Sequence, residues 1–224
     1  MQSVKTKDLY DLSHTKAAAL LEECEYPWLA LPKLKDFILG LIEELSDDDG
    51  YYLYSDNVLV SKSAVISPSA TICGPTVIGA MTEVRTGAFI RGSVIVGESC
   101  VVGNSCELKN SVIFDNVQVP HFNYIGDSIL GYRSHTGAGA ITSNVKSDKT
   151  LVTIKGEGVS IETGLKKVGA MLGDFVEVGC NSVLNPGCVI GRRTNVYPLS
   201  CVRGVIPENS IFKAPDNIVP KKQI

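Results

Sequence analysis

VSKSAVISPSATICGPTVIGAMTEVRTGAFIRGSVIVGESCVVGNSCELKNSVIF, residues 60–114, places an apolar residue at every sixth position: Val60, Ile66, Ile72, Ile78, Val84, Ile90, Val96, Val102, Leu108 and Phe114. Neither a 3.6-residue helix nor a freely alternating strand keeps such a beat. Each hexad therefore reads as one short strand plus a turn, and three hexads make one coil of a solenoid. Four residues behind each anchor runs a second column: Ala64, Ala70, Thr76, Thr82, Ala88, Val94, Cys100, Cys106, Val112 and Gln118. Nearly all are small enough for the inside of a narrow prism. Gly79, Gly97 and Gly103 follow anchors, where a corner needs a permissive backbone. A second run repeats the pattern, with anchors Leu172, Val178, Leu184, Ile190, Val196 and Val202 and with Val176, Ser182, Cys188, Thr194, Ser200 and Ile206 behind them.

Outward from the repeat, residues 1–55 carry no hexads and form a helical leader. Leu9, Leu12, Ala17, Leu20 and Leu21 predict one helix, capped by Ser13. Pro32 opens a second, with a stripe of Leu34, Phe37, Ile38, Leu41, Ile42 and Leu45 that ends at Ser46-Asp47-Asp48-Asp49-Gly50. These stripes must be buried, and the first coil of a solenoid has an open edge, so the leader is expected to cap that edge or join a subunit contact. Residues 56–224 form the solenoid domain. Within it the beat slips to five residues near Val119 and again between Ile125 and Leu130, then stops from Asn144 to about Val168. Residues 145–167 there predict a projecting hairpin, with strands at 150–154 and 159–161 around Lys155-Gly156-Glu157-Gly158. Long insertions in solenoids line one face, often the binding face, so these breaks are where chemistry is sought.

Composition excludes several classes. A net charge of -3, with a pI near 5.7, offers no field for holding nucleic acid. No apolar run is long enough to span a bilayer, and the N-terminus lacks a signal core, so the cytoplasm is expected. The seven cysteines include no C-x-x-C pair, and Cys100, Cys106 and Cys188 fall in the small inner column. They read as packing residues in a reducing compartment, with no metal expected.

Arg91 and Lys109 each follow an anchor and lie 18 residues apart, one coil, so they stack at the roughly 4.8 Å spacing of neighbouring strands. Two readings stand: a solvated basic ladder, or an anion site in which a phosphate relieves the repulsion by pairing with both. His121, at the first slip, is either structural or a base, since a neutral imidazole accepts a proton near pH 7. Glu107 is placed to orient it or to sit in solvent. His135 approaches from the next coil, with a surface or packing role favoured, and His14 is solvated. Gly137-Ala138-Gly139-Ala140-Ile141-Thr142-Ser143-Asn144 allows tight corner packing, or close ligand approach with amide N–H groups facing a developing oxyanion.

The hexads in the form apolar-Gly-x-x-small-x, with FIRGSVIVGESCVVGNSCELKNS, HFNYIGDSILGY, GAGAITSN and GLKKVGAMLGDFVEVGCNSVLNPG, resemble the left-handed parallel β-helix of hexapeptide acyltransferases. The likeness is to the acetyltransferase half of bifunctional glucosamine-1-phosphate acetyltransferase/N-acetylglucosamine-1-phosphate uridyltransferases, and more so to archaeal-type sugar-1-phosphate nucleotidylyltransferase/acetyltransferases. It covers about residues 78–207. The left hand comes from this resemblance, because the general crossover preference predicts the opposite.

The resemblance implies that His121 is the general base, supported by Glu107, and that Arg91 and Lys109 hold the sugar phosphate. It implies further that Tyr124, Asn144 and Lys149 line the hexosamine pocket. Acetyl-CoA would lie in a groove between subunits of a homotrimer, lined by Ala140, Cys180 and Pro198, with Lys213 near its phosphates. The nucleotidyltransferase domain's G-x-G-T-[RK] loop has no counterpart here, so uridyl transfer by this chain is not expected. The expected activity is acetyl-CoA-dependent N-acetylation of an amino-sugar 1-phosphate. The alternatives are a non-catalytic or regulatory β-helix partner of a sugar nucleotidyltransferase, or a UDP-N-acetylglucosamine pyrophosphorylase-related protein. A hexapeptide carbonic anhydrase is disfavoured because His14, His121 and His135 lack its ligand spacing.

Overall fold

The computed structural model of the chain describes residues 4–45 and 49–222. Three sheets wrap a prism, and their strands pair in parallel with the strand one coil away, except at the two ends, where Tyr51–Ser55 pairs antiparallel with Val58–Ser61 and Asn217–Pro220 antiparallel with Ser210–Ala214. The first face begins with strands Val58–Ser61, Thr76–Ile78 and Val94–Val96. The second begins with Val65–Ile66, Glu83–Val84 and Val101–Asn104, and the third with Thr71–Ile72, Phe89–Ile90 and Glu107–Lys109. Ile78 pairs with Val96, Val84 with Val102 and Ile90 with Leu108, so the hexad anchors are the inward residues. All of these are buried. The parallel β-helix expected from the beat is the fold.

The beat changes earlier than the spacing suggests. Val96 pairs with Ile113 rather than Phe114, and Val94 with Ser111. The first five-residue step therefore runs from Leu108 to Ile113, and the inner column passes through Ser111 and Val117, both buried, while Gln118 is exposed. Phe114 is buried on the outside of the prism instead, its ring 5.1 Å from that of Tyr10. Two adjacent apolar residues hide the step. The second short step, Ile125 to Leu130, lies where expected, because Leu108 pairs with Ile125 and Ile113 with Leu130. Leu130 next pairs with Leu172 across the insertion, and Ile190 pairs with Ile206, only four residues after Val202. Every irregularity of the repeat falls at one corner, between the third and first faces.

The first face alone is apolar throughout on its outside. Leu59, Val77, Ile95, Val112, Ile129, Met171 and Val189 are all buried there, whereas the second face presents Glu83, Gln118, His135 and Glu177 at the matching positions. An apolar outer column has to be covered, and the leader covers it. Helix Leu34–Glu44 packs on strands Thr76–Ile78 and Val94–Val96. The Tyr10 hydroxyl donates to the Ile129 carbonyl at 3.4 Å, and His14 stacks on Tyr132 with ring centroids 3.7 Å apart. The helical part of the leader thus lies along a flank of the solenoid, while its last residues, Tyr51–Ser55, are a strand rather than helix and pair antiparallel with Val58–Ser61 at the edge of the first coil; His14 is a packing residue.

The first half of the leader is not one helix. Short helices Thr6–Leu9 and Ala18–Glu22 flank an extended Tyr10 and a 3-10 turn at Leu12–His14. Asp11 breaks it: its carboxylate accepts from the backbone N–H and the hydroxyl of Ser13, and its own N–H donates to Asp174 at 2.8 Å. Ser13 is therefore the capped residue, not the cap. The second helix runs to Glu44 with Leu45 behind it, and residues 46–48 of the expected stop lie outside the described residues. The insertion forms the expected hairpin, Thr153–Gly156 with Val159–Glu162. Its root folds back, however: Val152 and Ile154 are buried, and the first strand packs on Val205–Ile206. No helix among the described residues is long and apolar enough to cross a membrane.

Candidate functional site

Two corners flank the outer side of the third face, where Phe89, Glu107, Tyr124 and Ile141 stand one above another. The corner from the second to the third face carries His121. The His121 carbonyl accepts from Gly139 N–H (3.0 Å), that of Ala138 from Asn181 N–H (2.8 Å), and that of Cys180 from Leu199 N–H (2.9 Å). His121, Ala138, Cys180 and Pro198 therefore form one column with the spacing of successive strands, about 4.8 Å. The His121 side chain is exposed, and Cys180 and Pro198 are exposed above it. Lys213 stands one strand beyond, its ammonium 5.7 Å from the Tyr197 ring centroid.

Ala140 is not in that column. Its side chain is buried in the prism and its N–H donates to the Gly137 carbonyl at 3.1 Å, so it offers a ligand neither surface nor donor. The small-residue stretch is a corner, and in it Ala138, not Ala140, turns outward with no protein acceptor for its N–H among the described residues.

Asn123 fixes this corner. It is buried, its carboxamide oxygen accepts from His121 N–H at 3.1 Å, and its amide donates to the carbonyls of Gly137 (2.8 Å) and Ala140 (3.1 Å). Its signal in the sequence is a polar residue four places after an anchor, in a column otherwise of small residues.

The opposite corner gathers the charges. Arg91 and Lys109 are stacked one coil apart, as Ile90 pairing with Leu108 requires. Each already has a carboxylate: Arg91 Nη1 lies 2.7 Å from Glu107 Oε1, and Lys109 Nζ lies 3.4 Å from Asp127 Oδ2. Glu107 is thus engaged with Arg91, not with the imidazole of His121. The two pairs differ in burial. Arg91 and Glu107 side chains are 44% and 35% exposed, against 26% for Lys109 and 5% for Asp127. Asp127 also accepts from the Asn110 amide at 2.8 Å and, at a shorter distance, from that of Asn144, whose nitrogen is 3.2 Å from the Tyr124 hydroxyl.

Asp127 is the residue the repeat did not disclose. It sits in a left-handed conformation (φ 48°) at the corner after Gly126, and it organises Lys109, Asn110 and Asn144 at once. Burial, and then the negative charge of Asp127, push the Tyr124 phenol above its ordinary range, so it stays a neutral hydrogen-bonding group. The Glu107 carboxylate holds the Arg91 guanidinium above its ordinary value. Lys149 is exposed in the turn at 146–150, and its backbone N–H donates to the Lys146 carbonyl. His135 pairs with Glu177 at 2.9 Å on the second face, away from both corners. Burial pushes the thiols of Cys100 and Cys188 up to about 12, which suits packing and not ligation.

Residues 72–171 match the family model described as the GMPPB C-terminal domain. The chain is 33% identical over 103 residues to the bifunctional sugar-1-phosphate nucleotidylyltransferase/acetyltransferase of Sulfurisphaera tokodaii, a match covering 46% of this chain and 26% of that protein. It is 33% identical over 117 residues to the bifunctional protein GlmU of Methanococcus maripaludis, covering 50% and 28%. The chain therefore spans about a quarter of the length of these curated relatives. A solved hexapeptide transferase family protein from Anaplasma phagocytophilum aligns over 74% of this chain and 81% of its own, at 16% identity and a TM-score of 0.42. The resemblance to sugar-1-phosphate nucleotidylyltransferase/acetyltransferases read from the motifs is borne out by the two curated relatives.

Proposed function

We propose that the chain is a cytoplasmic, acetyl-CoA-dependent N-acetyltransferase acting on an amino-sugar 1-phosphate. One arrangement carries the reading: stacked Arg91 and Lys109 at one edge of the third face, His121 with an exposed imidazole at the other, and Tyr124 between them. The sugar 1-phosphate docks on the two cations. The exposed Arg91–Glu107 pair is worth no more than about 1 kcal/mol, so an incoming phosphate displaces Glu107 cheaply and bonds the guanidinium through two N–H groups. Asp127 stays in place and keeps Lys109 and Asn144 aimed at the sugar.

At the other edge His121 removes the proton as the amine attacks the thioester carbonyl. The new carbon–nitrogen bond replaces the carbon–sulfur bond of the acetyl-CoA thioester, and the proton taken by His121 passes to the departing thiolate, which leaves as the free thiol. The open N–H of Ala138, beside His121 in the corner column, faces the developing oxyanion. The coenzyme runs up the same column past Cys180 and Pro198 toward Lys213, with a second copy of the chain in a homotrimer forming the opposite wall. The test is thiol release from acetyl-CoA against a panel of amino-sugar 1-phosphates. Release with glucosamine 1-phosphate or a close isomer supports the reading, and a silent panel refutes it.

One observation favours a second reading. Both cations are already neutralised within the chain, as in a pocket kept for structure by a β-helix that partners a sugar nucleotidyltransferase. Absence of acetyl-CoA binding by calorimetry, with copurification of such a partner, would favour that reading.

A further inference from the structure

The insertion and the last coils enclose a cavity of about 420 Å³ that lies outside the groove and the phosphate corner described above. Its walls are the hairpin at 155–157, the corner at Arg203, and an apolar floor of Val205, Phe212 and Ile218. The hairpin backbone is seated directly on the corner: Gly204 has φ +75°, and a Cβ there would collide with the Lys155 carbonyl oxygen. The Lys155 backbone therefore touches the corner next to Arg203, and the two exposed side chains stand on the same rim.

Among the described residues neither cation has a carboxylate partner, although the chain has more acidic than basic residues. Glu157, also on the rim, has no partner there either. Two unpaired cations on one rim form a positive patch with which an anion can pair through charge-assisted hydrogen bonds.

The lining selects the anion. A bare phosphate or sugar phosphate would leave the apolar floor wet, and an acyl chain would leave Glu157 without a donor. The volume falls in the range of small-molecule pockets, which combine an apolar lining with a few placed polar groups. We propose that this cavity is a second ligand site that binds a phosphorylated nucleoside. The phosphate lies between Lys155 and Arg203, the base lies on the exposed apolar surface of Pro215 and Ile218, and Glu157 accepts a hydrogen bond from a ribose hydroxyl or an exocyclic amine.

Calorimetric titration of the full chain with uridine 5′-diphosphate and with adenosine 3′,5′-bisphosphate tests the site without any acetyl transfer. Saturable one-to-one binding is expected for at least one probe, weakened about tenfold or more in a Lys155→Ala/Arg203→Ala double variant, the loss expected for a charge-assisted phosphate site. Arg203→Lys should retain most of the affinity, and since both side chains are exposed, unchanged thermal unfolding of the variants checks their fold. Displacement of the bound probe by coenzyme A would put the probe in the coenzyme groove of the proposed function and overturn the proposal, whereas binding that persists supports a separate nucleotide site. No binding of either probe, or equal binding by the parent and the double variant, overturns the proposal.

Discussion

Replacing Asp127 by asparagine tests whether this residue organises the corner that carries Arg91 and Lys109. The attraction between Asp127 and Lys109 at 3.4 Å amounts to about 5 kcal/mol gross at an effective dielectric of about 20. Desolvation of the carboxylate, only 5% exposed, offsets most of it. What remains is carried by the amides of Asn110 and Asn144, donating to opposite oxygens. Hydrogen bonds to a charged group contribute about 1.5–3 kcal/mol each. Asparagine keeps one acceptor and turns an NH2 group toward a donor, so the expected loss is about 2–4 kcal/mol, or roughly 5–10 °C in Tm for a chain of this size. Glu107→Gln breaks an exposed pair and should cost less than about 1 kcal/mol.

The local signature of Asp127→Asn should be faster hydrogen exchange at Val168 and Gly169, whose N–H groups donate to the carbonyls of Asn144 and Asp127. Thermal unfolding and amide exchange of the two variants measure this directly. Equal, small shifts for both, with unchanged exchange at the insertion base, would refute the role given to Asp127.

Two further outcomes follow from burial. Tyr10→Ala removes a buried ring that packs on Phe114 and bonds Ile129; a loss of about 3–5 kcal/mol is expected, with increased binding of a hydrophobic dye as the first face is uncovered. A stable variant with no dye signal would show that the leader is not needed as a cover. Of the seven cysteines, Cys73, Cys180 and Cys201 are exposed and the other four are buried. A thiol reagent should therefore label three residues quickly in the native protein and all seven after denaturation, read by mass spectrometry of the labelled peptides.

The solenoid was legible because only stacked short strands keep a six-residue beat over so many turns, and the stacking of Arg91 on Lys109 followed from the same ruler. The ruler failed where its marks were ambiguous. Ile113 and Phe114 are both apolar, and only the packing of Tyr10 against the outside of the prism decides which of them points inward. The position of the leader is written in the chain, one residue before the anchors of the first face. Val77, Ile95, Val112 and Ile129 all stand there, and no other face is apolar throughout at that position. Asp127 and Asn123 escaped for a different reason: their importance lies in bonds between coils 14 to 18 residues apart, which no local motif displays. The Glu107–Arg91 pair likewise depends on register between two strands.

The most direct test of His121 as the general base is steady-state acetyl transfer to glucosamine 1-phosphate by the parent, His121→Ala and Lys109→Ala. His121→Ala is expected to lower kcat by about 10²- to 10⁴-fold with a small change in KM for the sugar, whereas Lys109→Ala should chiefly raise that KM. A His121→Ala variant that turns over as fast as the parent would contradict the assignment.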